Sequence, residues 1–450
     1  MCENMDRNIE NRLYEAFLRS NGVSTDSRSM EKGAMFVALK GENFDGNRFA
    51  QSALDKGAGC VVVSCGSGMR DGDRVIVVED TLEALQAIAR RHRSSFRIPV
   101  IALTGTNGKT TTKELVSAVL SAKYKVTATE GNLNNHIGVP LTLLRIAPET
   151  EIAVIEMGAS HPGEIADLAA IALPDYGLIT NVGKAHIEGF GSFEGVRRTK
   201  GELYDYLQRT GDTAFVNVDD PVLCSMAAER PDLRIVRYGV ESASVEIMPV
   251  TAHRPYLSLG IPCQACGKGG MLELRTHLIG SYNATNVMAA LCVGQYFGVS
   301  LEDASRAVES YRPVNLRSQL ESTERNVLVL DAYNANPSSM KVSVANFAAS
   351  LFERKVLILG DMYELGKDSL SEHEAVMAQV AGTDCVRAYF VGREFCRAAM
   401  SSAVAADTRF IFCEDVAGLR KLLESDPLSG CTILLKGSHA VGLPSVKEVL

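Results

Sequence analysis

The sequence predicts an α/β protein of three domains: a small α/β N-terminal domain, a central P-loop nucleotide-binding domain on a mainly parallel sheet, and a C-terminal Rossmann-like domain. Three observations carry this expectation. At 450 residues and 46% hydrophobic content the chain can bury about three cores. Short apolar runs alternate with helical patterns along most of its length, the arrangement that builds parallel sheets. One stretch, Val100 to Leu120, reads as strand, glycine turn and helix.

Residues 1–97 carry Met35 to Leu39, Cys60 to Ser64 and Val75 to Val78 as short strands between helical stretches. The basic stretch Arg90 to Ser95 then leads to Pro99 and reads as a linker or a solvated helix end. The central domain is expected over 98–312, with further strands at Ile152 to Ile155 and Tyr176 to Thr180. The third domain, 313–450, offers strands at Val327 to Leu330, Val356 to Leu359, Ala388 to Val391, Phe410 to Phe412 and Thr432 to Leu435. It lacks the G-x-G-x-x-G turn of a dinucleotide site.

A net charge of −8 argues against a nucleic-acid surface, which needs a basic patch to displace counterions. No apolar run is long enough to cross a bilayer, so no membrane partner is expected. The polar start Met1 to Asp6 lacks the features of a secretory signal, and 11 scattered cysteines suit reduced thiols, so a cytoplasmic protein is expected. Cys263 and Cys266 form one CxxC, but no second pair follows at zinc-site spacing, and the segment reads as a surface hairpin turn.

Function is most legible in Gly105-Thr106-Asn107-Gly108-Lys109-Thr110-Thr111. Glycines let backbone approach phosphate, N–H groups at the helix N-terminus supply positive potential, Lys109 reaches the outer phosphates, and the Thr110 hydroxyl can ligate magnesium. The loop is a variant, with two residues between its glycines and Leu103 in the place of an earlier glycine. ATP or GTP is the expected ligand. Glu156 ends an apolar run, so it is either a hard oxygen ligand at the carboxyl edge of a parallel strand or an ordinary surface carboxylate. His186, beyond a third strand end, is a candidate second metal ligand or a packed side chain. In the helix Phe193 to Leu207, an inward stripe of Phe193, Val196, Leu203 and Leu207 has Lys200 where a leucine belongs. Such a lysine either snorkels outward or ends in a polar site.

With these residues assembled, the chain resembles the Mur ligases nearly end to end. The resemblance is carried by Ser24 to Arg28 with Phe36 to Gly41, by the P-loop, and by Gly131 to Asn135 with Gly138 to Pro140. It continues through Glu156 to Ala159, Gly163 to Ile165, Ala185-His186, Glu188 to Ser192 and Lys200 to Glu202. Asn283, Asn286, Asp331 to Asn336, Gly360 to Met362 with Glu364 to Gly366, and Lys436 to Ser438 complete it.

The resemblance implies an ATP- and magnesium-dependent amide ligase that joins D-alanyl-D-alanine to UDP-N-acetylmuramoyl-tripeptide through an acyl phosphate, in cytoplasmic peptidoglycan precursor synthesis, and a monomer. It implies that the N-terminal domain holds the UDP sugar with Thr25, Asp26, Ser27, Arg28 and Asp45, joined from the central domain by Asn134 and Asn135. Asn283, Asn286, Arg317 and Asp331 join the P-loop around ATP. Thr110 and Glu156 hold one metal, and His186 with a carbamylated Lys200 surround another; Lys109, His186 and Lys200 are the catalytic candidates. Asn334, Asn336, Lys436 and Ser438 are implied near the incoming dipeptide. Three departures affect local contacts: His439 stands where arginine often follows Lys-Gly-Ser, Tyr282 where histidine is common, and Asn315-Leu316 where Pro-Gly is common.

Rival readings are another ligase of the same superfamily, such as the enzyme adding the third peptide residue or a folylpolyglutamate synthase, and a nucleotide-driven switch. Asp331 to Asn336 argues against the first two. A switch would hydrolyse nucleotide without an amine acceptor.

Overall fold

A computed structural model describes residues 6–41, 43–251, 253–263, 269–314 and 316–450. In the N-terminal part, the strands Val23–Ser24, Met35–Val37, Cys60–Ser64 and Val75–Val78 lie side by side in chain order, all parallel. A tight hairpin pairs Lys40–Gly41 with Phe44–Asp45. Helices Arg7–Leu18 and Thr81–Ser94 flank the sheet.

The central sheet has six parallel strands in the order Arg234–Tyr238, Thr213–Asn217, Tyr176–Ile179, Val100–Thr104, Ile152–Glu156, Val126–Ala128. Val100–Thr104 lies inside it and is covered on both faces, which is why it reads as an unbroken apolar run. The next helix, Lys109–Ser121, buries Leu115, Val116, Val119 and Leu120 completely, because their spacing puts all four on one face. Beside this sheet Glu246–Ile247, Ser258–Pro262 and Met271–Arg275 form a small antiparallel sheet that the sequence patterns did not single out. Its last two strands run towards the CxxC segment, but Cys266 lies outside the described residues.

The C-terminal sheet runs Gln319–Ser322, Val327–Asp331, Thr432–Lys436, Lys355–Gly360, Arg387–Val391, Phe410–Cys413. The five strands expected here all form and are mutually parallel. The sixth, Gln319–Ser322, is an antiparallel edge strand without a fully buried residue, so it carries no apolar run to announce it.

Two expectations are corrected. Arg90 to Ser95 is no linker but a helix end, the last turn of Thr81–Ser94 and its cap, and only part of it is solvated: Arg90, Ser94 and Ser95 are exposed while His92 and Arg93 are buried. His92 Nε2 bonds the Ile146 carbonyl at 2.8 Å, and Arg93 donates to the carbonyls of Ala172 and Leu173 and to Asp175 Oδ2 at 2.8 Å. These carbonyls end the central helix Glu164–Ala172, where a cation complements the helix dipole. Around this clamp one apolar core runs unbroken from Leu13, Met35 and Leu85 to Ala102, Ile155 and Leu168. The second correction concerns Phe193, which is exposed because it opens helix Phe193–Thr210, so the inward stripe begins at Val196.

Arg93→Ala removes the donor to the carbonyls of Phe96, Ala172 and Leu173 and to the half-exposed Asp175 carboxylate. It should lower unfolding free energy by about 2–4 kcal/mol in urea titration, with Arg93→Lys recovering only part because an ammonium lacks the planar fork. A loss within about 0.5 kcal/mol would show that the clamp contributes nothing.

Candidate active site

The strand Val100–Thr104 ends at Gly105, whose φ of 142° and neighbours exclude any side chain: a Cβ there would sit 2.1 Å from Thr180 Oγ1. Gly108, at φ 78°, starts the next helix, and a Cβ there would meet Asn286 Oδ1 at 2.8 Å. The loop is held open from the neighbouring strand end, where Asn181 accepts from the N–H groups of Thr106 and Asn107, each at 3.0 Å. Lys109 Nζ folds onto the loop, donating to the carbonyls of Gly105 at 2.8 Å and Thr106 at 3.1 Å. Burial pushes its pKa down, Glu156 opposes that, and Arg317 adds to it. A polyanion placed in the loop would relieve this burial cost by supplying the missing negative charge.

Glu156 is 1% exposed at the end of strand Ile152–Glu156. Its Oε1 accepts from Thr110 Oγ1 at 3.1 Å and from Asn134 Nδ2 at 2.8 Å, while its Oε2 is buried without a partner. A buried, unsatisfied carboxylate oxygen beside a threonine hydroxyl is a hard-oxygen pair that fits magnesium. Among the described residues no group of three or more His, Cys, Asp or Glu is arranged for a metal, so a cation here would depend on phosphate oxygens for further ligands.

His186 lies just past the strand Tyr176–Ile179, with a left-handed φ of 51°. Its Nδ1 is paired with Glu364 Oε2 of the C-terminal domain. Burial lowers its pKa, Glu364 raises it, and the cations Lys109 and Lys200 lower it. Lys200 is 3% exposed, with its ammonium 5.4 Å from the Phe190 ring centroid. The His186 ring lies 6.3 Å from the same ring. Burial, reinforced by Lys109 and opposed by Glu164 and Glu202, brings the Lys200 amine down to about 7. The side chain therefore does not snorkel into water.

A cavity of about 1200 Å³ joins these groups. From the central domain it is lined by Thr106, Asn107, Gly108, Lys109, Thr110 and Thr111, by Asn134, Asn135, Glu156 and His186, and by Asn283 and Asn286. Arg317, Asp331, Asn334, Asn336 and Lys436 line it from the other side. Asn286 accepts from Thr112 Oγ1 at 3.1 Å and donates to Asn283 Oδ1 at 2.8 Å, which ties the adenine-side candidates to the P-loop helix. Arg317 stacks on Tyr333 at 3.8 Å, and Asp331 Oδ2 accepts from Lys436 Nζ at 2.7 Å and Ser343 Oγ at 3.1 Å. Asn336 Nδ2 donates to Asn107 Oδ1 at 2.9 Å, so the C-terminal domain is docked on the P-loop.

Gly105, Lys200 and Ser438 are not among the residues that line the cavity; the Ser438 hydroxyl faces the Ala335 carbonyl at 3.5 Å. Thr25, Asp26, Ser27, Arg28 and Asp45 are not brought to it. Thr25 to Arg28 follow strand Val23–Ser24 at the carboxyl edge of the N-terminal sheet, where Arg28 pairs with Asp26 at 2.7 Å, while Asp45 ends the hairpin strand Phe44–Asp45 and caps the turn Gly46–Phe49. Of the departures, Tyr282 lines the cavity and bonds Ser318 Oγ at 3.0 Å. Leu316 adopts φ 57°, the conformation a glycine would take without strain; His439 is exposed, and Asn315 lies outside the described residues.

Sequence reasoning missed Asn181, although its place after Leu178 to Thr180 signals a strand's carboxyl edge. It also gave no site role to Ser338, whose hydroxyl accepts the Lys184 N–H at 2.8 Å, or to Glu364, which entered only among the residues of the resemblance. Their partners lie 154 and 178 residues away, and no local pattern points to them.

Comparison with known proteins covers most of the chain. Residues 19–93 match the Mur ligase family catalytic domain, 103–294 the Mur ligase middle domain, and 316–439 the Mur ligase glutamate ligase domain. The UDP-N-acetylmuramoyl-tripeptide--D-alanyl-D-alanine ligase of Bacillus subtilis (strain 168) is 34% identical over 87% of this chain and 84% of its own. The enzyme of the same name from Escherichia coli (strain K12) is 34% identical over 98% and 96%. Among solved structures, MurF from Acinetobacter baumannii superposes with TM-score 0.84 at 29% identity, covering 98% of this chain and 97% of that one. MurF ligase from Thermotoga maritima in complex with ADP gives TM-score 0.80 at 28% identity, covering 96% and 97%.

Gly105→Ala should weaken ADP binding at least ~10-fold by titration calorimetry, because both its φ and the Thr180 hydroxyl reject a methyl group. Unchanged ADP affinity would separate this loop from the nucleotide.

Proposed function

The chain belongs to the Mur ligase family, and from that membership we infer what it does. It is an ATP-dependent carbon–nitrogen ligase that adds D-alanyl-D-alanine to UDP-N-acetylmuramoyl-tripeptide in peptidoglycan precursor synthesis. The observation that carries this reading is one cavity shared by the P-loop and by Asp331, Asn334, Asn336 and Lys436, wide enough for a nucleotide and a peptide together.

In this reading residues 1–97 bind the UDP sugar, 98–312 bind ATP, and 313–450 bring the dipeptide. The carboxyl-edge position of Thr25 to Arg28 supports the first assignment. The reaction is cytoplasmic and the chain works as a monomer; no helix among the described residues is long and apolar enough to cross a membrane.

A carboxylate does not condense with an amine in neutral water, so the tripeptide carboxylate first takes the γ-phosphoryl group of ATP. Lys109 turns from its loop carbonyls to the phosphates, and its charge meets the charge that develops on the transferring group. Asn283 and Asn286 hold the adenine side, with Arg317 and Asp331 closing over the nucleotide from the other domain. Thr110 and Glu156 would hold a magnesium ion, which when bound would neutralise the phosphate oxygens. The dipeptide amine, neutral and held near Asn334, Asn336, Lys436 and Ser438, attacks the acyl carbon and releases phosphate. Docking of the two domains excludes water from the acyl phosphate.

Lys200 becomes an anion by adding carbon dioxide: its neutral amine forms an N–C bond and releases a proton, giving a carbamate beside His186 able to ligate a second cation. An amine titrating near 7 supports this, because about half of it is reactive at neutral pH where an ordinary lysine is almost wholly protonated.

Two experiments test these statements. ADP and phosphate should form one for one with a UDP-muramyl-pentapeptide, in a panel of tripeptides bearing lysine or diaminopimelate, only when the tripeptide and D-alanyl-D-alanine are both present. Sustained ADP release without the dipeptide would sink the ligase reading in favour of a switch. With ¹³C-bicarbonate, a carbamate resonance should grow as pH rises through about 7, the direction that deprotonates the amine, and should vanish in Lys200→Ala. Activity of that variant should fall by roughly 100-fold or more. A wild type without the resonance at pH 8, or a near-normal Lys200→Ala, would overturn the carbamate.

A further inference from the structure

Two non-glycine residues that adopt glycine's usual left-handed conformation meet across the domain seam. His186 at φ 51° and Glu364 at φ 61° both occupy the left-handed region, and their side chains pair. Strained backbone at a contact of this kind persists only where its surroundings over-determine it. The loop bearing Glu364 is braced accordingly. Asp361 accepts from the N–H groups of Glu394 and Phe395, each at 3.0 Å, and the fully buried His373 accepts the Met362 N–H at 3.1 Å. Leu365 is buried behind it. The result is a rigid presentation of one carboxylate whose side chain is 61% exposed and adds nothing to its own domain's core.

A carboxylate is acceptor only, so the contact makes Nδ1 the protonated nitrogen of His186 and leaves Nε2 with its lone pair as the ligating atom. Histidines that bind metals almost always donate their other N–H to such a group, which fixes the ring and raises its basicity. Here the orienting group comes from another domain. The contact also has company across the same seam: the Lys184 N–H donates to Ser338 Oγ at 2.8 Å and Lys184 Nζ pairs with Glu372 at 2.8 Å.

We propose that Glu364 is a positioning residue for the ligase reaction: a carboxylate of the C-terminal domain that orients the His186 imidazole as a metal ligand only while that domain is docked on the central one. Closure and completion of the second cation site are then one event, which keeps the site incomplete until the acyl phosphate is protected from water. The proposal rests on the reading of His186 as a cation ligand.

The test uses the full chain with manganese(II), followed by electron paramagnetic resonance in the presence of adenylyl imidodiphosphate. Wild type should bind two manganese ions per chain. Glu364→Ala should weaken one of them by about 10–100-fold, and Glu364→Gln, whose amide oxygen still accepts the Nδ1 proton, should stay within about threefold of wild type. Because Glu364 is exposed, truncation leaves no cavity to unfold the chain. Turnover should fall in step while the KM for ATP holds. In parallel, distance probes on the central and C-terminal domains of the ligand-free chain should show a smaller docked population in Glu364→Ala, with no further loss when His186→Ala is added. Two unchanged manganese sites in Glu364→Ala, a single site in wild type, equal losses in the Gln and Ala variants, or an unaltered docked population would each overturn the proposal. Both effects in a protein that makes no amide product would refute the ligase assignment and leave the role of Glu364 standing.

Discussion

Parallel register at one sheet edge is the constraint on which the rest depends. Strand Val100–Thr104 pairs Leu103 with Glu156 on one side and Thr104 with Ile179 on the other. Parallel pairing sends all three chains out of the sheet at the same edge. The P-loop, the Glu156 carboxylate and the loop Asn181 to His186 are therefore neighbours before any side chain contact forms. The hydrogen bonds of Asn181 to the P-loop and of Thr110 to Glu156 then follow from proximity. A one-residue slip would turn Glu156 to the other face and dismantle the site.

What gathers at that edge is electrostatically incomplete. Lys109 spends its protons on the carbonyls of its own loop, Glu156 keeps a buried oxygen without a donor, and Lys200 sits in an apolar wall. An unsatisfied buried polar group costs about 1–3 kcal/mol. The deficits share a logic: a cation that nucleotide phosphates would neutralise, a carboxylate that a divalent ion would satisfy, and a buried amine that carbon dioxide would convert into an anion. The large core of a chain this size can sustain such costs.

The two seams of the molecule differ in kind. Between the N-terminal and central parts the apolar core is continuous, and Arg93 and His92 stitch its rim. The C-terminal sheet keeps its own clusters around Leu357, Phe390 and Leu434 and around Leu330, Ile358 and Leu435, with Ile279 as a buried member from the central part. Across that second seam the contacts at the cavity are polar: Asn336 to Asn107, Ser338 to Lys184, Glu364 to His186. Polar contacts exchange for water at little net cost, whereas a shared apolar core does not. The contacts that the C-terminal domain makes at the cavity are thus of the kind that water can replace.

The sequence alone determined what depends on neighbours within a few residues. The apolar runs announced the five parallel C-terminal strands, the glycine turn announced the P-loop, and the gap in a helical stripe announced Lys200, because each signal repeats with the period of its own backbone. The same local logic misread His92 and Arg93, whose charged neighbourhood looked solvated, and passed over Gln319–Ser322, whose alternation is too weak to stand out. Tertiary structure alone decided the pairings: Arg93 with Asp175, Asn107 with Asn336 at 229 residues' separation, and His186 with Glu364 at 178. The physical reason is that a side chain's type and spacing fix which face it occupies. What meets that face is set by how separate sheets pack, a long-range choice that no window of sequence contains.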